Sequence, residues 1–524
     1  MAPGIKSKLL KSWAPIFYEH VFCQIDEKPF AVLYGETGNS NFPVNILLSL
    51  EYIKHMRDCP DSELLDDYYF DYLVNYAIGN RTLGERNLAE RTLYYFRARV
   101  YQYLVENPEK EDFLFGQFIE LTKRFASKAG VVMGEQRMDS TMFMSNMKKA
   151  GRLTLAYDVL CNVVSLIPEK KLTETLANVL KPSFKTDTLY RAKSQDGDSK
   201  LEMLLNLCHE AVRILEGIKG SDNSDAFVIA KRFLAEQADI DETTQKCKAK
   251  DNKNISSTSL QSAYDADATY RKKGKTGHVG YVLNLAETCH EDNPFQLITD
   301  YVVEKNVTSD VEMMIDRLPE ICENTGCEEM FVDGGYHSPK VVEEAAKQGV
   351  KLHFTNLNGR EPSKKLPVTA FEMNEETNII TKCPKGNIPL STGVTGGQTV
   401  AHFSHGACSN CEFYNQCHSK QQKKDCVVRI SLNAIRIAKE RLSVKSDIKE
   451  NTSKRAAIEG TNSALKRGQG QDKLGVRGQV KCAVVSGLKV MAQNIKRFTK
   501  YWVGGYKQKL KATPPQGIPM PIPA

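Results

Sequence analysis

Residues 329–356 read EMFVDGGYHSPKVVEEAAKQGVKLHFTN. The pattern predicts a strand over 329–333, a helix over 339–348 and a second strand over 351–356. Strand, helix and strand in succession argue for an α/β sheet with some parallel pairing. The first strand ends on Asp333, and sheets of this class hold their ligands beyond the carboxyl ends of strands. Gly334 and Gly335 permit an unusual backbone and the close approach of a ligand. The plainer reading is that Asp-Gly-Gly is a turn.

The same alternation extends upstream, with a helix predicted over 310–324 and a strand over 278–287, HVGYVLNLAE. Earlier still, GVVMGEQRMDS (130–140) reads as a strand that ends at Asp139, with Ser140 or Thr141 placed to cap the next segment. The plain reading of Asp139 is also an N-cap. Residues 146–245 turn strongly helical, as in LTLAYDVLCNVVSLI and LEMLLNLCHEAVRILEGI, and read as a helical insertion after that strand. Residues 40–125 are helical too, and ERTLYYFRARVYQYLVE mixes Arg91, Arg97 and Arg99 with aromatics. That helical region suits DNA binding, and an ordinary bundle fits the pattern equally well. Downstream, 360–427 reads as an irregular Gly-rich segment with four cysteines, and about 428–500 as helical. The tail KATPPQGIPMPIPA is proline-rich and reads as disordered. The expected domains are therefore 1–125, 126–359, 360–427, 428–505 and a tail over 506–524.

Length and composition fit this plan. A chain of 524 residues with 41% apolar content can bury a sizeable core in two to four domains. No run of 18 apolar residues predicts a membrane span. MAPGIKSKLLKSWAPIFYEHVF is basic but lacks the apolar stretch and cleavage site of a signal peptide, so the chain reads as cytoplasmic. Most of its 14 cysteines are then expected to be reduced. From Lys420 to Lys511 there are 23 Lys and Arg against 6 Asp and Glu, a net +17, so the +7 of the whole leaves −10 elsewhere. A basic quarter on an otherwise acidic chain suggests a polyanionic partner, most simply nucleic acid.

A third carboxylate stands in KRAAIEGTNSALKRG (454–468). On a helix, Arg455, Glu459, Asn462 and Lys466 form one polar stripe. The plain account is an exposed salt-bridge ladder. Gly460 costs ~1 kcal/mol against alanine inside a helix, which points to close packing or an approaching ligand. If Asp139, Asp333 and Glu459 converge, they repel unless a cation joins them. Oxygen ligands suit two Mg²⁺ or Mn²⁺ ions, and such a pair clamps both oxygens of a phosphoryl transfer. Asp265 and Asp267 in YDADATY rival Asp139 as the first carboxylate, but they precede their strand by a charged loop.

MDST (138–141), VDGGYHS (332–338) and RAAIEGTNSALK (455–466), in this order, resemble the DDE transposases of bacterial insertion sequences. The arginine, glutamate and lysine spacing around Glu459 matches that family's signature, but Thr452 stands where the family often has tyrosine. DADATYRKKGKTGHVGYVLNLAET (265–288) and the N-terminal helices are similar to family segments as well. The resemblance covers about 40–500 and implies an RNase H-like catalytic core preceded by a DNA-binding helical region. It implies metal-dependent cleavage of DNA at the element ends and strand transfer to target DNA, by a homodimer on DNA beside the nucleoid. Asp139, Asp333 and Glu459 would hold the ions; Arg455 and Lys466 would orient the glutamate or meet phosphates; Asn462 shares their stripe; Tyr336 and His337 would line the site. The rivals are a nuclease of the same fold without strand transfer, and an inactive DNA-binding remnant.

Cys383, Cys408, Cys411 and Cys417 are spaced C-x24-C-x2-C-x5-C in a segment poor in apolar residues. Four thiolates there suggest a structural Zn²⁺ site, closed and therefore not catalytic. His402, His405, His418 or Cys426 could replace one ligand, and the plain reading is reduced cysteines in a loop.

Overall fold

The computed structural model describes residues 2–35, 41–110, 112–190, 196–355 and 365–512, without the side chains of 440, 443–450 and 506–512. The chain forms two compact units, one of residues 1–327 with 458–524 and one of residues 328–457. It is a mixed α/β protein, and among the described residues no helix is long and apolar enough to cross a membrane.

In the first unit, β1 (Glu135–Phe143) pairs antiparallel with one edge of β3 (Thr276–Thr288). The other edge of β3 takes β2 (Thr269–Lys273) and then β4 (Ile298–Lys305), both antiparallel. At the junction between them Gly280 has φ +130°, and a Cβ there would stand 2.3 Å from the Phe143 carbonyl oxygen, so no side chain fits. The tip of β3 is open, but Tyr281 through Cys289 are all buried, so the strand is covered on both faces rather than half-exposed. The helix α1 (Asp310–Thr325) follows β4, opened by a capping box between Ser309 and Glu312.

The N-terminal helices share one apolar cluster with this sheet, including Phe17, Leu48, Phe118, Phe125, Tyr281, Leu285 and Phe498. Arg97, one of the three arginines that the sequence mixes with aromatics here, turns inward. Its side chain is 15% exposed and lies 2.6 Å from Glu51 and 2.7 Å from Asp61. Helices Arg152–Val164, Gly197–Glu216 and Asp225–Gln237 form a second cluster of their own, around Leu160, Leu204, Cys208 and Phe233.

In the second unit, β5 (Glu329–Val332) and β6 (Lys351–Phe354) pair in parallel, Glu329 opposite Lys351. The helix between them, α2 (Pro339–Gln348), starts with Ser338 accepting from Val341 N at 3.1 Å and Pro339 in its first turn. Residues 360–427 are not irregular where they are described. They hold an antiparallel sheet in the order β7 (Ser391–Thr395), β8 (Gln398–Phe403), β10 (Cys426–Ser431), β9 (Ser419–Gln421). Its core is small: Phe371, Ile380, Ala401, Phe403, Val428 and Ile430. The long helix α3 (Leu432–Ala456) follows, so 428–431 is strand and not helix.

The chain then returns to the first unit with α4 (Ile458–Gly468) and α5 (Gln479–Ala512). Ile458, Thr461, Asn462 and Leu465 form the buried stripe of α4, which packs on β1. The helix α5 packs on β4 and the N-terminal helices and runs into the expected tail, whose residues 513–524 lie outside the described residues.

Candidate active site

Asp139 lies within β1 and not at its end, because pairing continues through Phe143 opposite Tyr281. The polar run Asp139-Ser140-Thr141 is part of the strand, and Ser140 Oγ donates to Asp310 at 2.7 Å rather than capping a helix. Asp139 is 9% exposed. Asn462 Nδ2 of α4 donates to its Oδ2 at 3.1 Å. The buried Asn462 Oδ1 has no hydrogen-bond partner. Glu459 stands one turn earlier on α4, on the same side as Asn462, and is exposed. A carboxylate in the first turn is favoured by the partial positive charge of the helix N-terminus. Gly460 has open space in front of it, and a Cβ at this position would meet no atom within 4 Å, so close packing does not explain it. Lys466 Nζ donates to the Met142 carbonyl at 2.7 Å and lies 3.3 Å from Asp472. It therefore ties α4 to the end of β1.

Behind these groups is a buried ion cluster that sequence reading misses. Glu287 of β3 is 0% exposed and stands opposite Arg137 of β1. Arg137 Nε donates to its Oε1 at 2.9 Å. Arg497 Nη1 of α5 donates to Oε2 at 2.7 Å, and the Thr461 hydroxyl of α4 donates to the same oxygen at 2.5 Å. Burial would raise the Glu287 pKa, but the Arg497 and Arg137 guanidiniums and the Thr461 hydroxyl outweigh it and hold the carboxyl below its usual range.

The rival aspartates have other work. Asp265 is 2% exposed and accepts from Ser145 Oγ at 2.5 Å, Tyr281 Oη at 2.6 Å and Gly478 N at 3.2 Å. Burial and the Asp265 charge push the Tyr281 hydroxyl pKa up. Asp267 accepts from Gln479 N at 3.3 Å. Both carboxylates fasten the loop before β2 to the start of α5.

Asp333 belongs to the second unit, whereas Asp139 and Glu459 belong to the first. It follows β5 and accepts from Gly335 N at 2.7 Å, so it caps a single 3₁₀ turn over Gly334–Tyr336. Neither glycine adopts a positive φ, so the turn needs no unusual backbone. Arg455 lies 3.8 Å from Asp333 Oδ2. Tyr336 is 1% exposed and is a core residue rather than a wall of an open site. The His337 ring sits edge-on to Phe354, with centroids 5.0 Å apart.

Cys383, Cys408, Cys411 and Cys417 line one small pocket with Phe403, Phe413 and Val428. Among the described residues no cysteine is in a disulfide. Burial and the neighbouring Cys426 and Cys417 push the Cys408 thiol up to about 11, and burial also raises Cys417. Two of the substitute ligands are engaged: His402 Nδ1 lies 2.7 Å from Asp425, and His418 Nε2 lies 2.9 Å from the Leu366 carbonyl. His405 Nδ1 is 3.8 Å from Cys426 Sγ. Among the described residues, no three or more His, Cys, Asp or Glu are gathered closely enough to hold a metal ion. The donor chemistry nevertheless fits a hard cation at Asp139, where a buried carboxylate adjoins an amide oxygen that has no partner.

Residues 382–499 match the family model described as a transposase DDE domain. That stretch is similar to a transposase DDE domain. The matched stretch contains the four cysteines and Arg455, Glu459, Asn462 and Lys466, while Asp139 and Asp333 precede it. The match supports reading the chain as a DDE-type transposase. Such domains generally use divalent metal ions. No curated protein and no solved structure matches the chain.

Proposed function

We propose that the protein is a transposase that cuts DNA at the ends of its own element and joins those ends to target DNA. The reading makes Asp139, Asp333 and Glu459 the carboxylates that bind two Mg²⁺ or Mn²⁺ ions. The observation that carries it is the bond from Asn462, one turn below Glu459 within the matched DDE domain, to the buried Asp139. When bound, two such ions about 4 Å apart would stabilise the attacking and leaving oxygens of phosphoryl transfer. Asn462 fixes Asp139 through Oδ2 and adds its own amide oxygen as a further hard donor. Lys466 anchors α4 against β1 and so holds Glu459 at a set height above the strand. Arg455 neutralises Asp333, and a cation taking its place there would leave the guanidinium for a DNA phosphate. The core would be RNase H-like, and two copies would act on paired ends, in the cytoplasm beside the nucleoid of a bacterium. Zn²⁺ held by Cys383, Cys408, Cys411 and Cys417 would fold the small sheet of the second unit, because it removes the repulsion among thiolates.

The test uses the full chain with DNA bearing the element ends. Asp139→Ala, Asp333→Ala and Glu459→Ala are each expected to lose Mg²⁺-dependent cleavage, by 10³-fold or more in order of magnitude, while still binding DNA. Cleavage that survives any one of them removes that residue from the site. Ends that are cut but never joined would leave a nuclease in place of a transposase.

A further inference from the structure

The cluster around Glu287 is buried, charged and not accounted for by the mechanism above. Three elements meet at it: Arg137 from β1, Thr461 from α4 and Arg497 from α5. Arg497 also donates to Thr461 Oγ1 at 2.5 Å and to the Gln296 carbonyl at 3.0 Å. Arg137 and Asp139 are two residues apart on β1, so they share one face of the sheet, and Glu287 and Leu285 stand directly opposite them. The adjacent α4 residues Thr461 and Asn462 reach down to that face together, one to Glu287 and the other to Asp139.

A helix held on a strand at a single point can still roll about its own axis. Two neighbouring side chains bonded to two different partners on the strand's face remove that freedom. We propose that Glu287 is a positioning residue of the metal site: by gripping Thr461 it fixes the rotation of α4 on β1, and with it the presentation of Glu459 beside Asp139. This rests on the reading of Asp139 and Glu459 as metal-binding carboxylates. The β1–β3 pairing keeps one register from Gln136 to Phe143, so Arg137 and Glu287 hold their places directly opposite each other. Glu287 does not touch the ions or the DNA. It acts through Thr461, as partners of ligand-bearing groups do in other metal sites, where their loss costs ~10- to 100-fold in metal affinity or activity.

The experiment compares three variants of the full chain. Thr461→Val removes the hydroxyl and keeps the ion pairs, and Glu287→Gln keeps the shape and removes the charge. Asp300→Asn is the control: Asp300 is 3% exposed and is gripped by Arg317 at 3.1 Å, in the same sheet but away from α4. Mn²⁺ binding is read by electron paramagnetic resonance, amide exchange over 458–468 by mass spectrometry, and cleavage as a function of Mg²⁺ concentration. Thr461→Val and Glu287→Gln are expected to weaken Mn²⁺ binding ~10- to 100-fold, raise the Mg²⁺ midpoint in step and speed exchange in α4. Asp300→Asn should lower thermal stability and leave the midpoint alone. Equal Mn²⁺ affinity in Thr461→Val and wild type, or the same shift in Asp300→Asn, overturns the proposal. Wild type that binds Mn²⁺ and fails to cut DNA sinks the transposase reading alone, whereas wild type that binds no Mn²⁺ sinks both.

Discussion

His55 shows how a single side chain turns into a pH dependence. It is buried, and desolvation together with Lys489, Lys54 and Arg97 holds its pKa well below the ordinary value, against the pull of Asp61. The folded protein therefore keeps it neutral at a pH where the unfolded chain, with a pKa near ~6.5, takes up a proton. Stability from this group is present above about pH 6.5 and is lost as pH falls, by at most ~1.4 kcal/mol per pH unit. His55→Gln is expected to flatten the fall in melting temperature between about pH 6.5 and 5. A slope identical to wild type would show that this histidine is not the group responsible. At this scale the sequence is readable only where a residue announces its chemistry locally. Asp333 and Glu459 stand out because glycines and a polar stripe surround them. Glu287 does not, because its meaning comes from Arg137, Thr461 and Arg497, which lie far from it in the chain.

Among the elements, legibility follows length and apolar density. The strands β3, β5 and β6 and the helices α1 and α2 have marked periodicity and clear boundaries, and they are legible in the sequence alone. The strand β4, ITDYVVEK, is broken by Asp300 and escapes a reading by periodicity; the fold gives that charge to Arg317. The sheet of the second unit reads as loop because its strands are short and its apolar residues few. A sheet so thinly cored needs another source of stability, and bound Zn²⁺ would supply it as folding free energy. Chelating zinc from the full chain is therefore expected to speed amide exchange over 391–431 while β3 stays protected. A chain purified without zinc whose small sheet is equally protected would rule the metal out.

The whole molecule carries its positive charge unevenly, and internal contacts already use some of it. Among the 23 cations between Lys420 and Lys511, Arg497 grips Glu287, Lys466 holds the Met142 carbonyl, and Lys489 donates to the Gln469 carbonyl. Fewer than 23 are therefore left for DNA. If six to ten of them meet phosphates, affinity should fall by about 10³- to 10⁵-fold between 50 and 200 mM salt. Filter binding or fluorescence anisotropy across that range gives the slope, and a flat response would exclude the basic quarter as the DNA-holding surface.

The order in which the chain is made adds a constraint of another kind. The first unit is discontinuous: residues 1–327 wait for 458–524, and the whole second unit is synthesised in between. At roughly 5–20 residues per second, β1 and β3 emerge long before α4 and α5 exist to cover them. Glu459 and Asn462 leave the ribosome more than 300 residues after Asp139, so a chain that stops short of them lacks the Asn462 bond to Asp139 and the proposed third carboxylate. A message broken after β4 but before residue 458 yields a polypeptide with an uncovered sheet, a substrate for proteases.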